Sequence, residues 1–319
     1  MAIRPRLKQY FQVFHRGDSS VQLGVTGDSG GVLVAGLEPA EIAFLQRLDG
    51  TASLERLADQ ARAAGIPSER WDALVRHLET SGVLVTAPTD RAWLAQLPGP
   101  WRDLLASDAA TLAVAYGGSS DAVSTVCARR RQRVVVCGAE GLAFSLAGAL
   151  RGDGIGVVEV TPDSRGVLDH RPDLVVVAAH GALDTQSLTP LTRHGIPHLP
   201  LVVDGPRIVV GPLAAHDPAA PCARCLDLHR TDRDPAWPMI LAQVLHAPRG
   251  HGGQPAVSGE SSLVRCGTAI AVMFAQTFLA GQAIPTGVSL EVSLPFPVTV
   301  TRRWSVHPRC PDHFAQRLT

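Results

Sequence analysis

The chain has 319 residues, a formal net charge of +0 at pH 7, 45% hydrophobic and 18% charged residues. That length suits two domains or one large one, with enough apolar sequence for sizeable cores. Neutrality excludes a general attraction to nucleic acid or anionic membrane.

The opening MAIRPRLKQYFQVF has no signal-peptide core, and no apolar run reaches the length of a membrane span. A cytoplasmic protein is expected, with no nucleic-acid or membrane partner. In that setting the six cysteines point to metal or chemistry rather than disulfides.

Residues 9–34 alternate in short runs. QYFQVFH puts Tyr10, Gln12 and Phe14 on one face, RGDSS turns, VQLGV returns, and GDSGG at 27–31 turns again into VLVAGL. This predicts a meander of three short strands. Three helical patterns follow. Ile42, Leu45 and Leu48 repeat before Gly50. Leu54, Leu57, Ala58 and Ala61 repeat between an N-cap at Ser53 and a stop at Gly65. Trp71, Leu74, Val75 and Leu78 repeat between Ser68 and Gly82. A last short strand is expected at 83–85. A three-stranded sheet plus three helices reads as a winged helix-turn-helix over residues 1–86.

Residues 87–130 read as linker, with a short helix possible around DRAWLAQL. From Arg133 the pattern becomes strand–helix–strand, with apolar strands RVVVCG, GVVEV, DLVVVAA, HLPLVVD and RIVVGPL and a long apolar helix at 262–281. This predicts a mostly parallel sheet covered on both faces, a Rossmann-type α/β domain over 131–319.

A winged helix invites a DNA-binding reading, but residues 1–86 carry nine Lys/Arg against ten Asp/Glu. A module without net positive charge forfeits the phosphate term that supplies non-specific affinity. The other use of such a sheet is peptide capture. An edge strand offers backbone groups to an extended peptide, and apolar side chains grip it. Val32, Leu33 and Val34 on the strand, with Trp71, Leu74, Val75 and Leu78 on the third helix, are the candidate peptide-binding residues. The alternative for the helix residues is plain core.

The turn after the first α/β strand reads Gly138-Ala-Glu-Gly141, in the place of a phosphate-binding loop. Glu140 stands where close phosphate approach needs glycine, Ala143 takes the third glycine position, and Asp163 is a weak candidate for a ribose contact. These departures predict that ATP is not a cofactor and that the chain is not an enzyme.

Cys222-x-x-Cys225 and Cys310-x-x-His313 are two half-sites whose sum is a Cys₃His set, the closed tetrahedral pattern of structural zinc. His307 competes for the fourth place. Cys127, Cys137 and Cys266 fall in apolar or helical contexts and read as ordinary buried cysteines. Asp227, His229, Asp232 and Asp234 read as solvated loop residues.

The run GPLAAHDPAAPCARCLDLHRTDRDPAWP resembles the ThiF-like proteins that assist YcaO cyclodehydratases in making azole- and azoline-containing peptides. The stretch VQLG…GVLVAGL…LQRLDGTASLERLADQA is similar to their N-terminal PqqD-like peptide-recognition domain, and RRWSVHPRC to their ending. The resemblance implies a ubiquitin-activating-enzyme-like second domain with a structural zinc, usually dimeric. It implies a precursor peptide whose leader pairs with the winged-helix edge strand for presentation to a YcaO cyclodehydratase. A ThiF-type adenylyltransferase and a DNA-binding regulator are the alternatives. The family often ends in closely spaced cysteines, whereas here Cys310 stands with His313.

Overall fold

The computed structural model describes residues 4–7, 11–24, 31–85, 122–164, 166–215, 217, 219–246 and 259–316, with scattered positions between 99 and 115. The chain divides into two compact units, Met1–Cys127 and Ala128–Thr319.

The first unit contains β1 (Arg6–Leu7), β2 (Val13–His15), β3 (Ser20–Leu23), β4 (Val32–Ala35), α1 (Pro39–Leu45), α2 (Leu54–Ala63), α3 (Ser68–Thr80) and β5 (Leu84–Val85). Strands β2, β3 and β4 form an antiparallel sheet in that order, the meander expected from the alternation. Tyr10 and most of the expected turn at 27–31 lie outside the described residues. The β1–β5 pair was not anticipated, because two-residue strands carry no periodicity. One core serves the sheet and all three helices, with Leu23, Leu45, Leu57 and Leu78 at its centre. Trp71 meets Phe44 edge-on, ring centroids 5.7 Å apart. Ser53 caps α2 by accepting from Arg56 N at 3.2 Å. Ser68 is the first residue of α3, as expected, and Pro67 precedes it in extended conformation.

Most of the expected linker, including DRAWLAQL, lies outside the described residues. Its end forms α4 (Ala122–Ala128) and a 3-10 turn, Arg129–Arg131.

The second unit holds β6 (Arg133–Gly138), α5 (Glu140–Gly152), β7 (Val157–Thr161), β8 (Leu174–His180), α6 (Thr185–Arg193), β9 (His198–Asp204) and β10 (Arg207–Val210). It continues with α7 (Ala223–Arg233), α8 (Trp237–His246), α9 (Ser261–Leu279), β11 (Val288–Ser293), β12 (Val298–Arg303) and α10 (Pro311–Gln316). Seven strands form one sheet in the order β12-β11-β10-β9-β8-β6-β7. Strands β7, β6, β8 and β9 are parallel, and β10, β11 and β12 are antiparallel. The expectation of a mostly parallel sheet holds for one half only. Only Gly205 and Pro206 separate β9 from β10, and so short a link can join only antiparallel neighbours. Helices α5 and α9 pack on one face around Leu146, Leu150, Leu201 and Ala271. On the other face α6 packs through Leu188 and Leu191, and α7 through Ala223.

Among the described residues, α9 is the one helix long and apolar enough to cross a membrane by length and composition, which the sequence was not expected to supply. Its face Leu263–Gly267–Ala271–Ala275 lies in the sheet core, and a Cβ at Gly267 would come within 2.0 Å of Ile208 Cδ1, so the Ile208 side chain would have to move.

His198 opens β9 fully buried, with Nδ1 on Ile196 O at 2.9 Å and Nε2 without a partner among the described residues. Burial pushes its pKa down, so the folded state resists a proton that the unfolded chain accepts near pH 6.5. Its contribution is therefore complete above that pH and is lost as pH falls through it. Urea unfolding at pH 7.5 and 5.5 should show His198→Gln losing less stability over that step than the parent; equal losses would refute this assignment.

Candidate functional site

Two constellations stand out, one in each unit. In the first, β4 is an edge strand: only β3 pairs with it among the described residues. Val34 turns into the core at 6% exposure and Val32 packs against it, while Leu33 points outward at 53%. Between β4 and α3 runs a groove of about 400 Å³, bordered on the strand side by Leu33, Val34, Ala35 and Leu37. Arg70, Ala73, Leu74 and His77 border it on the helix side. Their spacing of three, one and three places them on one stripe of α3.

Of the seven residues expected to hold a peptide, Leu33, Val34 and Leu74 border the groove and Val32 lies on its strand. Trp71, Val75 and Leu78 do not; they are buried in the core at 2%, 7% and 0% exposure. The apolar periodicity of α3 marks the stripe that packs inward, and the groove stripe is its neighbour, one residue earlier. Ala73 and His77 carry no apolar signal, so only the register of the α3 stripe could have pointed to them.

One end of the groove is fixed by an ion pair. Arg70 Nε donates to Glu41 Oε1 at 2.8 Å and Nη2 to Glu41 Oε2 at 2.7 Å, a bidentate clamp. Nη2 also donates to Gly36 O at 2.9 Å, tying α1, α3 and the end of β4 together. The Arg70 hydrogen bond holds the Glu41 carboxyl below its usual range.

In the second unit Cys222, Cys225, Cys310 and His313 converge, their ligand atoms all within 4.8 Å of one another and all four buried. Cys222 is the N-cap of α7 and Cys225 lies in its first turn; Cys310 immediately precedes α10, and His313 is within it. Cys222 Sγ lies 3.7 Å from Cys225 Sγ and 3.6 Å from Cys310 Sγ. Disulfides need about 2.05 Å. Hydrogen bonds from the Cys222 and Cys225 thiols hold the Cys310 thiol far below its usual range. His313 Nε2 is buried without a partner among the described residues. His307 is spoken for: its Nε2 meets Asp232 Oδ2 at 2.8 Å and its Nδ1 accepts from Arg309 N at 3.1 Å. The cluster can hold a metal ion.

The polar run after the cysteines belongs to α7 and its C-cap, not to a loop. Asp227 accepts from Thr185 Oγ1 at 2.6 Å and Trp237 Nε1 at 3.1 Å, joining α6, α7 and α8. His229 Nε2 meets Ser305 O at 2.9 Å, and Asp232 binds His307 and Arg309, so this run docks the C-terminal tail. Among the other cysteines, Cys137 is buried and its pKa is pushed up to about 12 by burial, Cys127 is half-buried, and Cys266 is exposed, contrary to expectation.

The carboxyl ends of β6 and β8 form the crevice where the strand order reverses, the usual ligand position in such sheets. Gly138 there has φ +108, and a Cβ would meet Ala178 O at 2.0 Å, so this glycine serves strand packing. Glu140 sets an exposed carboxylate on the first turn of α5, a charge that opposes an anion at this helix end. Both features depart from the glycine phosphate-binding fingerprint.

No family model and no curated protein matches the chain in sequence. Solved structures do match in fold. A heterocyclase in complex with substrate and cofactor superposes with TM-score 0.66 at 17% identity, over 98% of this chain and 39% of its own. The heterocyclase TruD gives 0.66 at 18%, over 97% and 42%. E. coli MccB with AMPCPP and MccA gives 0.68 at 13%, over 97% and 99%. The chain shares the fold of these proteins. It spans about two fifths of the heterocyclases and nearly the whole of MccB.

The expectation that the chain is not an enzyme is corrected by these matches. The same fold occurs in MccB with ATP, over nearly the whole of that protein, and in part of a heterocyclase with substrate and cofactor. A departure from a glycine fingerprint at one helix end does not by itself remove chemistry from this fold.

Proposed function

We propose that this chain captures a ribosomally made precursor peptide for modification by heterocyclisation. The leader of the peptide adds as a strand to the free edge of β4, and its side chains enter the β4–α3 groove. In this reading residues 1–86 are a winged-helix, PqqD-like recognition domain, and 131–319 a ThiF-like domain joined to it by the 87–130 linker. The observation that carries the reading is an edge strand and a helix stripe framing one groove, on a fold shared with a heterocyclase bound to substrate. A YcaO cyclodehydratase is the proposed enzymatic partner, with the chain acting as a dimer. A fluorescence-anisotropy titration of the precursor peptide encoded beside the gene tests it. Saturable binding that Leu33→Pro weakens about tenfold is expected: Ser20 and Gly24 bond to the β2 side, so Leu23 and Val21 of β3 bond to Val32 and Val34, and the backbone donor of Leu33 faces the free edge. No binding to any such peptide would end the proposal.

The Cys₃His cluster is proposed as structural zinc. Tetrahedral bonds of about 2.3 Å place sulfurs about 3.8 Å apart, and the observed separations are 3.6 and 3.7 Å. The unpartnered His313 Nε2 supplies the fourth ligand.

A second reading, adenylation of a peptide by this chain itself, is favoured by the fold shared with MccB in its ATP-containing structure. Peptide-dependent ATP–pyrophosphate exchange would establish it. Exchange absent with a bound peptide would dismiss it.

A further inference from the structure

The imidazole of His198 is 2% exposed and held by one bond, Nδ1 to Ile196 O at 2.9 Å. A carbonyl oxygen only accepts, so Nδ1 carries the ring proton and Nε2 is left as a bare acceptor. Burial keeps the ring neutral by pushing its pKa below the usual value. Nε2 is itself buried and has no partner among the described residues. Native interiors rarely leave such a group unmatched, because its lost hydration is not repaid.

The ring borders a cavity of about 10 Å³ between β9 and the start of α7, room for the centre of one water molecule. The other side chains around it, among them Leu183, Pro200, Pro212, Ala214 and Leu226, are aliphatic and neither donate nor accept. The carbonyl of Pro200 is taken by Gly211 N, and the backbone of Ala214 pairs with that of His198. The opening of α7 is different. Cys222 gives it no side-chain cap, and the amides of Ala223 and Arg224 have no acceptor among the described residues. Ala223 lines the cavity.

We propose that this cavity is the site of one structural water, which donates to His198 Nε2 and accepts from the amides that open α7. Those two demands select the ligand. An ammonium-type cation donates but cannot accept. A halide accepts but cannot donate to a bare nitrogen. A larger hydroxyl compound exceeds the space. The water joins β9 to the helix that presents Cys222 and Cys225, and so braces the metal-ligand loop from the sheet side. This role depends on neither peptide capture nor adenylation.

Nitrogen-15 NMR of the labelled full chain should show His198 as the Nδ1–H tautomer. Nε2 should be shifted from a free pyridine-type nitrogen toward a hydrogen-bonded one, and the ring proton Hε1 should receive magnetisation from a slowly exchanging water. Crystals of the full chain grown with bromide in place of chloride should show one peak in the cavity, about 3 Å from Nε2, without anomalous signal. His198→Phe removes the acceptor and should lose that peak. A proton on Nε2, or an ordered ring beside a cavity without density, overturns the water. An anomalous peak assigns the cavity to an anion and overturns it equally, and a peak that persists in His198→Phe overturns Nε2 as its anchor.

Discussion

Cys225→Ser protein should carry no zinc, where the parent carries about one per chain by the four-ligand count. The side chain is fully buried between Cys222 and Cys310, and its loss leaves three ligands and an opened shell. Binding at such a site contributes on the order of 10 kcal/mol to folding of the units it closes. Much of the second unit rests on the separate β6–β9 core, so a lower melting midpoint is expected rather than complete unfolding. A loss of roughly 4 kcal/mol corresponds to a drop of about 8–16 °C in a domain of this size. The released part should be the tail that reaches α7 through His307 and Arg309, read as faster amide exchange over 304–313. Metal analysis and thermal unfolding, with and without chelator, provide the check. A metal-free parent that melts unchanged in chelator would contradict the zinc assignment.

Ala73→Trp should abolish peptide binding while leaving the fold intact. Ala73 is exposed, sits mid-stripe on α3 and borders the groove opposite β4. An indole there fills space that a peptide side chain must occupy, and overfilling a complementary site costs about 1–3 kcal/mol or more, a loss of roughly fivefold to 160-fold or more in affinity. Trp71→Ala is the contrasting case. Trp71 is core, so its truncation should cost about 3–5 kcal/mol of stability and weaken binding only through unfolding. The comparison uses the same precursor peptide at the same salt, with melting midpoints in parallel. Full affinity in Ala73→Trp would remove the groove from the binding site.

The alternation of residues 13–35 and the three apolar stripes up to Leu78 determined the sheet and helices of the first unit. They did so because each stripe packs inward at its own period. The cysteine and histidine spacing pointed to the group of Cys222, Cys225, Cys310 and His313 that the fold brings together and that could hold a metal ion. Periodicity could not say which side of α3 stays open. It reports the buried stripe, and the groove stripe of Arg70, Ala73, Leu74 and His77 exists only because β4 ends opposite it. The choice between His307 and His313 was likewise tertiary: both lie three residues from Cys310, and Asp232 on a distant helix occupies the first. The two-residue link after β9 carried the sheet's reversal to antiparallel, and the bare outer edge of β12 became visible only once every described strand had found its neighbours. Local sequence sets which elements form and which face each buries; what remains uncovered depends on contacts between residues far apart in the chain.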